Sequence, residues 1–165
     1  MQEKTAMTVY QPTMCLARTK GKDYVLSTGM GQELVLKRNQ DFGKHGKAKK
    51  PNLLKAGAEK VIWAYGMRSV FTVEQAIEDY STEGGFFFYR VRCDLYWGDQ
   101  LITTGYGCAN SRETACGFAT SYDVANSRLK IARKRAMVDA ALMVGQLSDM
   151  FSQDEDNDDF MKGAD

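Results

Sequence analysis

One stretch of the chain leaves little choice of local structure. From Tyr89 to Leu95, Tyr89, Val91, Cys93 and Leu95 alternate with Arg90, Arg92 and Asp94. Successive side chains of an extended chain point to opposite faces, so a period of two predicts a strand with one covered face and one wet face. This strand spans 85–97. It runs into Trp97-Gly98-Asp99-Gln100, a tight-turn sequence, and the segment 100–109 returns beside it as an antiparallel partner. Upstream, Glu83-Gly84-Gly85 turns a strand over 68–79 into the middle one. The expected unit is a three-stranded antiparallel meander. Phe86, Phe87 and Phe88 place aromatics on both faces of its middle strand. A core explains one face. The other, with Phe86 and Phe88, calls for a second element or a second subunit.

An apolar sheet face needs a cover, and the segment 123–145 reads as a long helix. Asp123 caps its start and Gly145 ends it. At 3.6 residues per turn, Leu129, Ala132, Ala136, Ala140 and Met143 form one apolar arc. Ile131, Val138 and Leu142 form another. Arg128, Arg135 and Asp139 lie between the arcs, and Lys130, Arg133 and Lys134 occupy the opposite side. An ordinary amphipathic helix keeps arginine off its apolar stripe. Two readings fit Arg135: a structural i,i+4 pair with Asp139, or a guanidinium at the base of a groove, oriented by Asp139 and facing phosphate.

A shorter helix is expected over 53–65, where Leu54, Ala58, Val61, Ile62 and Tyr65 share a stripe. Asn52 is its candidate N-cap and Gly66 its C-cap. Gly57 weakens it by ~1 kcal/mol relative to alanine and admits a close backbone approach. Before this helix the pattern is weak. Tyr24-Val25-Leu26 suggests a short strand, and Gln32 to Asn39 a helical turn or two. The order is that of an α+β chain.

Charge sharpens the reading. Lys and Arg number 22 and Asp and Glu 21 in 165 residues, for a net +1. The sum hides the distribution. From Lys37 to Lys60 there are eight basic residues and two acids, and from Ser127 to Arg135 five basic residues and no acid. From Asp149 to Asp165 there are seven acids and one lysine. Such asymmetry points to a basic working surface and a separate acidic tail. The chain divides into an N-terminal segment, 1–36, a core, 37–148, and a tail, 149–165, too acidic to pack. The loop 37–51 is a one-signed run containing Lys47, Lys49 and Lys50, next to a helix, as a phosphate-contacting loop would be.

Several classes are disfavoured. The Walker pattern GxxxxGK[ST] is absent, which argues against ATP use. The single histidine, His45, in a basic Gly-rich loop is a poor triad base. The four cysteines, Cys15, Cys93, Cys108 and Cys116, include no CxxC pair, so free thiols are expected and no metal or other cofactor. The N-terminus lacks a secretory h-region, and no apolar run approaches the ~20 residues of a membrane span. The expectation is a soluble cytoplasmic protein with no membrane partner.

Three stretches carry a resemblance to a known family. They are Lys49-Lys50-Pro51-Asn52-Leu53-Leu54-Lys55-Ala56-Gly57-Ala58-Glu59-Lys60, the strand end Gly105-Tyr106-Gly107-Cys108-Ala109-Asn110-Ser111-Arg112-Glu113, and Leu129 to Ala141 with its Lys134-Arg135-Ala136 run. In this order they resemble bacteriophage single-strand annealing proteins of the Rad-fifty-two-like superfamily, over roughly residues 40–155. The resemblance implies a helix, a curved β-meander and a long helix packed across it. It also implies subunits joined through their sheets into rings or helical filaments, with single-stranded DNA in an outer positive groove. It implies annealing without ATP or metal. By position, Lys134 and Arg135 match the groove-lining Lys-Arg pair. Lys55 matches a basic residue at the start of the first helix, and Lys49 and Lys50 match the basic run before it. Arg128, Lys130, Arg133 and Lys47 complete the expected DNA-binding set, and Phe86 and Phe88 the expected oligomer interface. The match departs from some relatives in keeping only Cys116 of a cysteine-rich insertion, and residues 1–36 match nothing.

Annealing holds phosphates without reading base edges, which suits lysine and arginine. The expected function is therefore ATP-independent annealing of complementary strands in phage recombination, by a homo-oligomer and not an enzyme. The acidic tail has two candidate roles: competing for the groove, or docking a further partner such as a phage exonuclease or a host single-strand-binding protein. The alternatives are a single-strand binder that protects DNA without annealing it, and a small nuclease.

Overall fold

The computed structural model describes residues 16–27, 33–44, 49–81, 85–113 and 121–152. In chain order the elements are β1 (Leu16–Lys20), β2 (Asp23–Ser27), β3 (Glu33–Leu36), β4 (Phe42–Gly43), β5 (Asn52–Leu53), α1 (Lys55–Ala64), β6 (Arg68–Asp79), β7 (Phe86–Trp97), β8 (Gln100–Asn110) and α2 (Ser121–Gly145). The chain is α+β. Its antiparallel sheets have the orders β1-β2-β3, β4-β5 and β6-β7-β8, and α2 packs against the last of these.

The alternation in β7 sets the central sheet. Phe87, Tyr89, Val91, Cys93 and Leu95 are each at most 3% exposed, and face α2. Phe86, Phe88, Arg92 and Tyr96 are half-buried on the outer face, and Arg90 is exposed there. Asp94 departs from the expected wet face, being only 6% exposed. Its carboxylate accepts bonds from Thr104 Oγ1 at 2.8 Å and Arg92 Nε at 3.1 Å, which satisfy it beneath its neighbours. The β7–β8 turn closes through Gly98, whose φ of 58° suits a residue without Cβ.

The contact between α2 and β8 explains the paired glycines of Gly105-Tyr106-Gly107. Ala132, Ala136 and Ala140, all fully buried, sit directly on this strand. A Cβ on Gly107 would run into the Ala132 carbonyl oxygen and the Ala136 amide nitrogen, and one on Gly105 into the backbone of Ala136 and Ala140. Small residues on both sides let helix and strand backbones nearly touch. Backbone on both sides cannot rotate away as a side chain can. Gly107→Ala is therefore expected to cost about 2–3 kcal/mol, as overpacking does. Gly43→Ala, where the new methyl meets nothing, should stay within about 0.5 kcal/mol. Urea unfolding of the two variants checks this.

The first helix starts later than its periodicity suggests. Asn52 and Leu53 pair with Gly43 and Phe42 in the β4–β5 ladder, so Asn52 is not the cap. Leu54 holds that position in an extended conformation, and its amide donates to the Asp41 carbonyl at 2.9 Å. Gly57 faces this same carbonyl, and a Cβ there would collide with it. The helix ends at Gly66, with φ 64°, where the Met67 amide bonds back to the Ile62 carbonyl at 3.1 Å. At the end of α2 the left-handed residue is Gln146, one place after the expected glycine. Gly145 instead makes room for the Leu147 side chain.

The expected turns of helix over 32–39 are instead strand β3, because Glu33 to Leu36 complete a ladder with β2. Val25, Leu26 and Leu36 are buried, and Leu26 and Leu36 belong to the same core as α1, β7 and α2. At the other end Leu147 and Phe151 join that core. Packing therefore crosses both expected boundaries, at 36/37 and at 148/149. Residues 1–15 and 153–165, including most of the acidic run, lie outside the described residues.

Candidate nucleic-acid interface

A groove of about 670 Å³ opens between α1, α2 and β6. Lys55, Glu59 and Trp63 line it from α1, spaced i, i+4, i+8 and so stacked along one stripe. The neighbouring stripe of α1, with Ala58, Val61 and Ile62, is buried. Lys130, Arg133 and Lys134 line the groove from α2 at i, i+3, i+4, another shared face. Its lower walls are apolar, made by Ile62, Met67 and Met137 with Ile131. Phe71 of β6 forms a side wall, and the Arg133 guanidinium lies over its ring at 4.2 Å. That stacking holds a charged group at the rim of an apolar surface. Lys55 and Glu59 form an exposed ion pair at 3.4 Å, of small energetic weight.

A second depression of about 380 Å³ shares Lys55 and Lys134 with the groove and extends it past Lys44, Arg135 and Ser152. Cations from both basic stretches of the sequence thus lie along one continuous surface. Four of the predicted DNA-binding residues, Lys55, Lys130, Arg133 and Lys134, converge on the main groove. All four are exposed.

The others are placed differently. Arg135 lines the second depression, but its Nη1 donates to the Cys108 carbonyl and to Glu113 Oε2, both at 2.6 Å. This fork ties α2 to the end of β8. The Asp139 carboxylate accepts the Tyr106 amide at 2.8 Å, a second tie between the same elements. Arg128 is only 7% exposed and lines neither depression, because it is one turn before Ala132 on the sheet-facing side. Lys49 and Lys50 are exposed but outside both depressions, and Lys50 Nζ donates to the Ser148 carbonyl at 3.2 Å. Lys47 and His45 lie outside the described residues. Phe86 and Phe88 are half-buried on the outer sheet face, with the Arg112 guanidinium 5.0 Å from the Phe86 ring.

Sequence reasoning missed Trp63, which is 79% exposed at the groove. A signal was present: Trp63 falls on the polar Lys55–Glu59 stripe and not among the apolar positions of α1. Burial, with the Asp94 charge adding to it, pushes the Cys93 thiol up to about 12, so it stays protonated at neutral pH. Among the described residues no group of three or more His, Cys, Asp and Glu is placed to hold a metal ion, and no helix is long and apolar enough to cross a membrane.

What fold and site define together is an α+β chain whose two helices wall a cationic, partly apolar groove. No family model, characterised protein or solved structure matches it.

Proposed function

We propose that this chain binds single-stranded DNA along the groove between α1 and α2 and anneals complementary strands without ATP or metal, as an oligomer with a Rad-fifty-two-like arrangement. The convergence of Lys55, Lys130, Arg133 and Lys134 on one groove carries the reading. These residues come from distant parts of the sequence, and all are suited to phosphate contact without base readout.

The sheet supports the oligomeric part. Strand β6 is 12 residues long and is exposed along nearly its whole length, since α2 packs mainly on β7 and β8 and touches β6 little beyond the Arg133–Phe71 stack. Val70, Val73 and Ile77 are among its exposed side chains. A long open edge with apolar residues invites another strand, and sheets joined edge to edge would place the grooves of successive subunits in series. Repetition then multiplies a modest affinity per subunit. Phe86 and Phe88 stand on the outer face of the same sheet, where a neighbouring subunit would cover them. A phage recombination role in the host cytoplasm, with an exonuclease or single-strand-binding protein as partner, belongs to the same proposal.

The test mixes complementary labelled strands with the protein in the absence of ATP and metal. Accelerated pairing is the expected result. Binding with suppressed pairing would make the chain a protective single-strand binder, and strand loss dependent on magnesium would make it a nuclease.

A further inference from the structure

A groove that only held phosphates would need a cationic lining and nothing more. This one has apolar lower walls, an aromatic side wall and an indole projecting beside them. Exposing most of a tryptophan forgoes a large gain from burial, and Trp63 has buried neighbours, Ile62 and Ala64, on either side in α1. Across the groove, the Arg133–Phe71 stack presents a second flat surface. The cations Lys55, Lys130 and Lys134 surround both surfaces. Flat aromatic surfaces among cations are what a nucleobase attached to a phosphate backbone requires.

We infer that Trp63 is a stacking platform for a base of the bound strand, with Phe71 and Arg133 forming the facing wall. The inference rests on the single-stranded DNA reading of the groove and adds to it. Each subunit would turn at least one base inward against α1, while the flanking phosphates meet Lys55, Lys130 and Lys134. Stacking accepts any base, so the contact adds affinity without sequence preference. A base held in this way is withheld from pairing until the complementary strand displaces it.

The chain has two tryptophans, Trp63 and Trp97, and Trp97→Phe leaves Trp63 as the sole indole reporter. Two probes are compared at equal length and charge: a thymidine oligonucleotide and an abasic oligonucleotide with the same phosphates. The thymidine strand is expected to quench Trp63 emission and to bind more tightly than the abasic strand. Trp63→Ala should weaken thymidine binding by roughly five- to a hundredfold. It should leave abasic binding and the salt slope unchanged, while Trp63→Phe keeps most of the affinity. A thermal melt confirms that the exposed substitution leaves the fold intact. Equal losses on both probes, or thymidine binding with Trp63 emission unchanged, overturn the stacking role while leaving the DNA reading in place. If wild-type protein binds neither probe at low salt, the DNA reading itself fails, and the platform with it.

Discussion

Deleting residues 149–165 is expected to lower the melting temperature by on the order of 10 °C, although the segment looks from its composition like a dispensable acidic tail. The reason is Phe151, which is 2% exposed. Its ring packs 5.5 Å from that of Phe42 and 5.6 Å edge-on from that of Tyr24. Its amide donates to the Leu147 carbonyl at 3.0 Å, and the next residue, Ser152, donates to the Pro51 carbonyl at 2.9 Å. The segment therefore clasps three parts of the chain: the β2 hairpin, the β4–β5 ladder and the end of α2. Removing a buried phenylalanine side chain costs about 3–5 kcal/mol. For a chain of this size each kcal/mol shifts the melting point by roughly 2–4 °C. Phe151→Ala should reproduce most of the loss. Deleting only 153–165 keeps Phe151 and Ser152 and should shift the midpoint by no more than a few degrees. Circular dichroism melts of the three variants decide the matter, and a 149–165 deletion that melts like the full chain would remove the clasp from the account.

Phe151 also shows where the sequence stopped being informative. Seven acids in seventeen residues dominate any average over that window, and one aromatic three places after Ser148 cannot outweigh them. The long elements were legible because their periods repeat. The strands expected over 68–79, 85–97 and 100–109 match β6, β7 and β8 to within a residue, and the helix expected from 123 begins at Ser121. Short elements carry no such repetition. Glu33 to Leu36 is too brief for a period, and only pairing with β2 makes it a strand. Asn52 has the chemistry of a cap, but a two-residue ladder with Phe42 and Gly43 takes it first.

The candidate site was half legible for a similar reason. Charge runs showed which stretches were basic, and helix geometry showed which side of α2 carried Lys130, Arg133 and Lys134. Neither could show that Lys55 would meet them, because that depends on how α1 packs against α2. The partner of Arg135 was hidden too. Asp139 is visible at i+4, whereas Glu113 is 22 residues away and comes within 2.6 Å only through the β8–α2 contact. Arg128 shared its charge with these neighbours but lay between the apolar arcs of the helix, and packing places it under cover.

This difference between Arg135 and the groove cations leads to the largest functional effect. Replacing Lys55, Lys130, Arg133 and Lys134 together with glutamine is expected to lower single-strand affinity by about two orders of magnitude at low salt and to leave the remaining binding only weakly salt-dependent. Each phosphate contact on a single strand contributes about 0.7 to the slope of log affinity against log salt, so losing four removes close to three. All four side chains are exposed, and surface substitutions of this kind stay near 0.5 kcal/mol each, so the fold should persist. Arg133 is the member most open to a packing effect, because it covers Phe71. Arg133→Lys separates the two roles by keeping the charge while giving up the planar stack. Arg135→Gln should behave oppositely. It leaves Glu113 and the Cys108 carbonyl without their shared donor, costing about 1–3 kcal/mol of stability, and it should change the salt slope by less than one contact. Fluorescence-anisotropy titrations at several salt concentrations, run beside thermal melts, separate these outcomes. A quadruple variant that stays folded and binds with the wild-type slope would show that the groove is not where the phosphates lie.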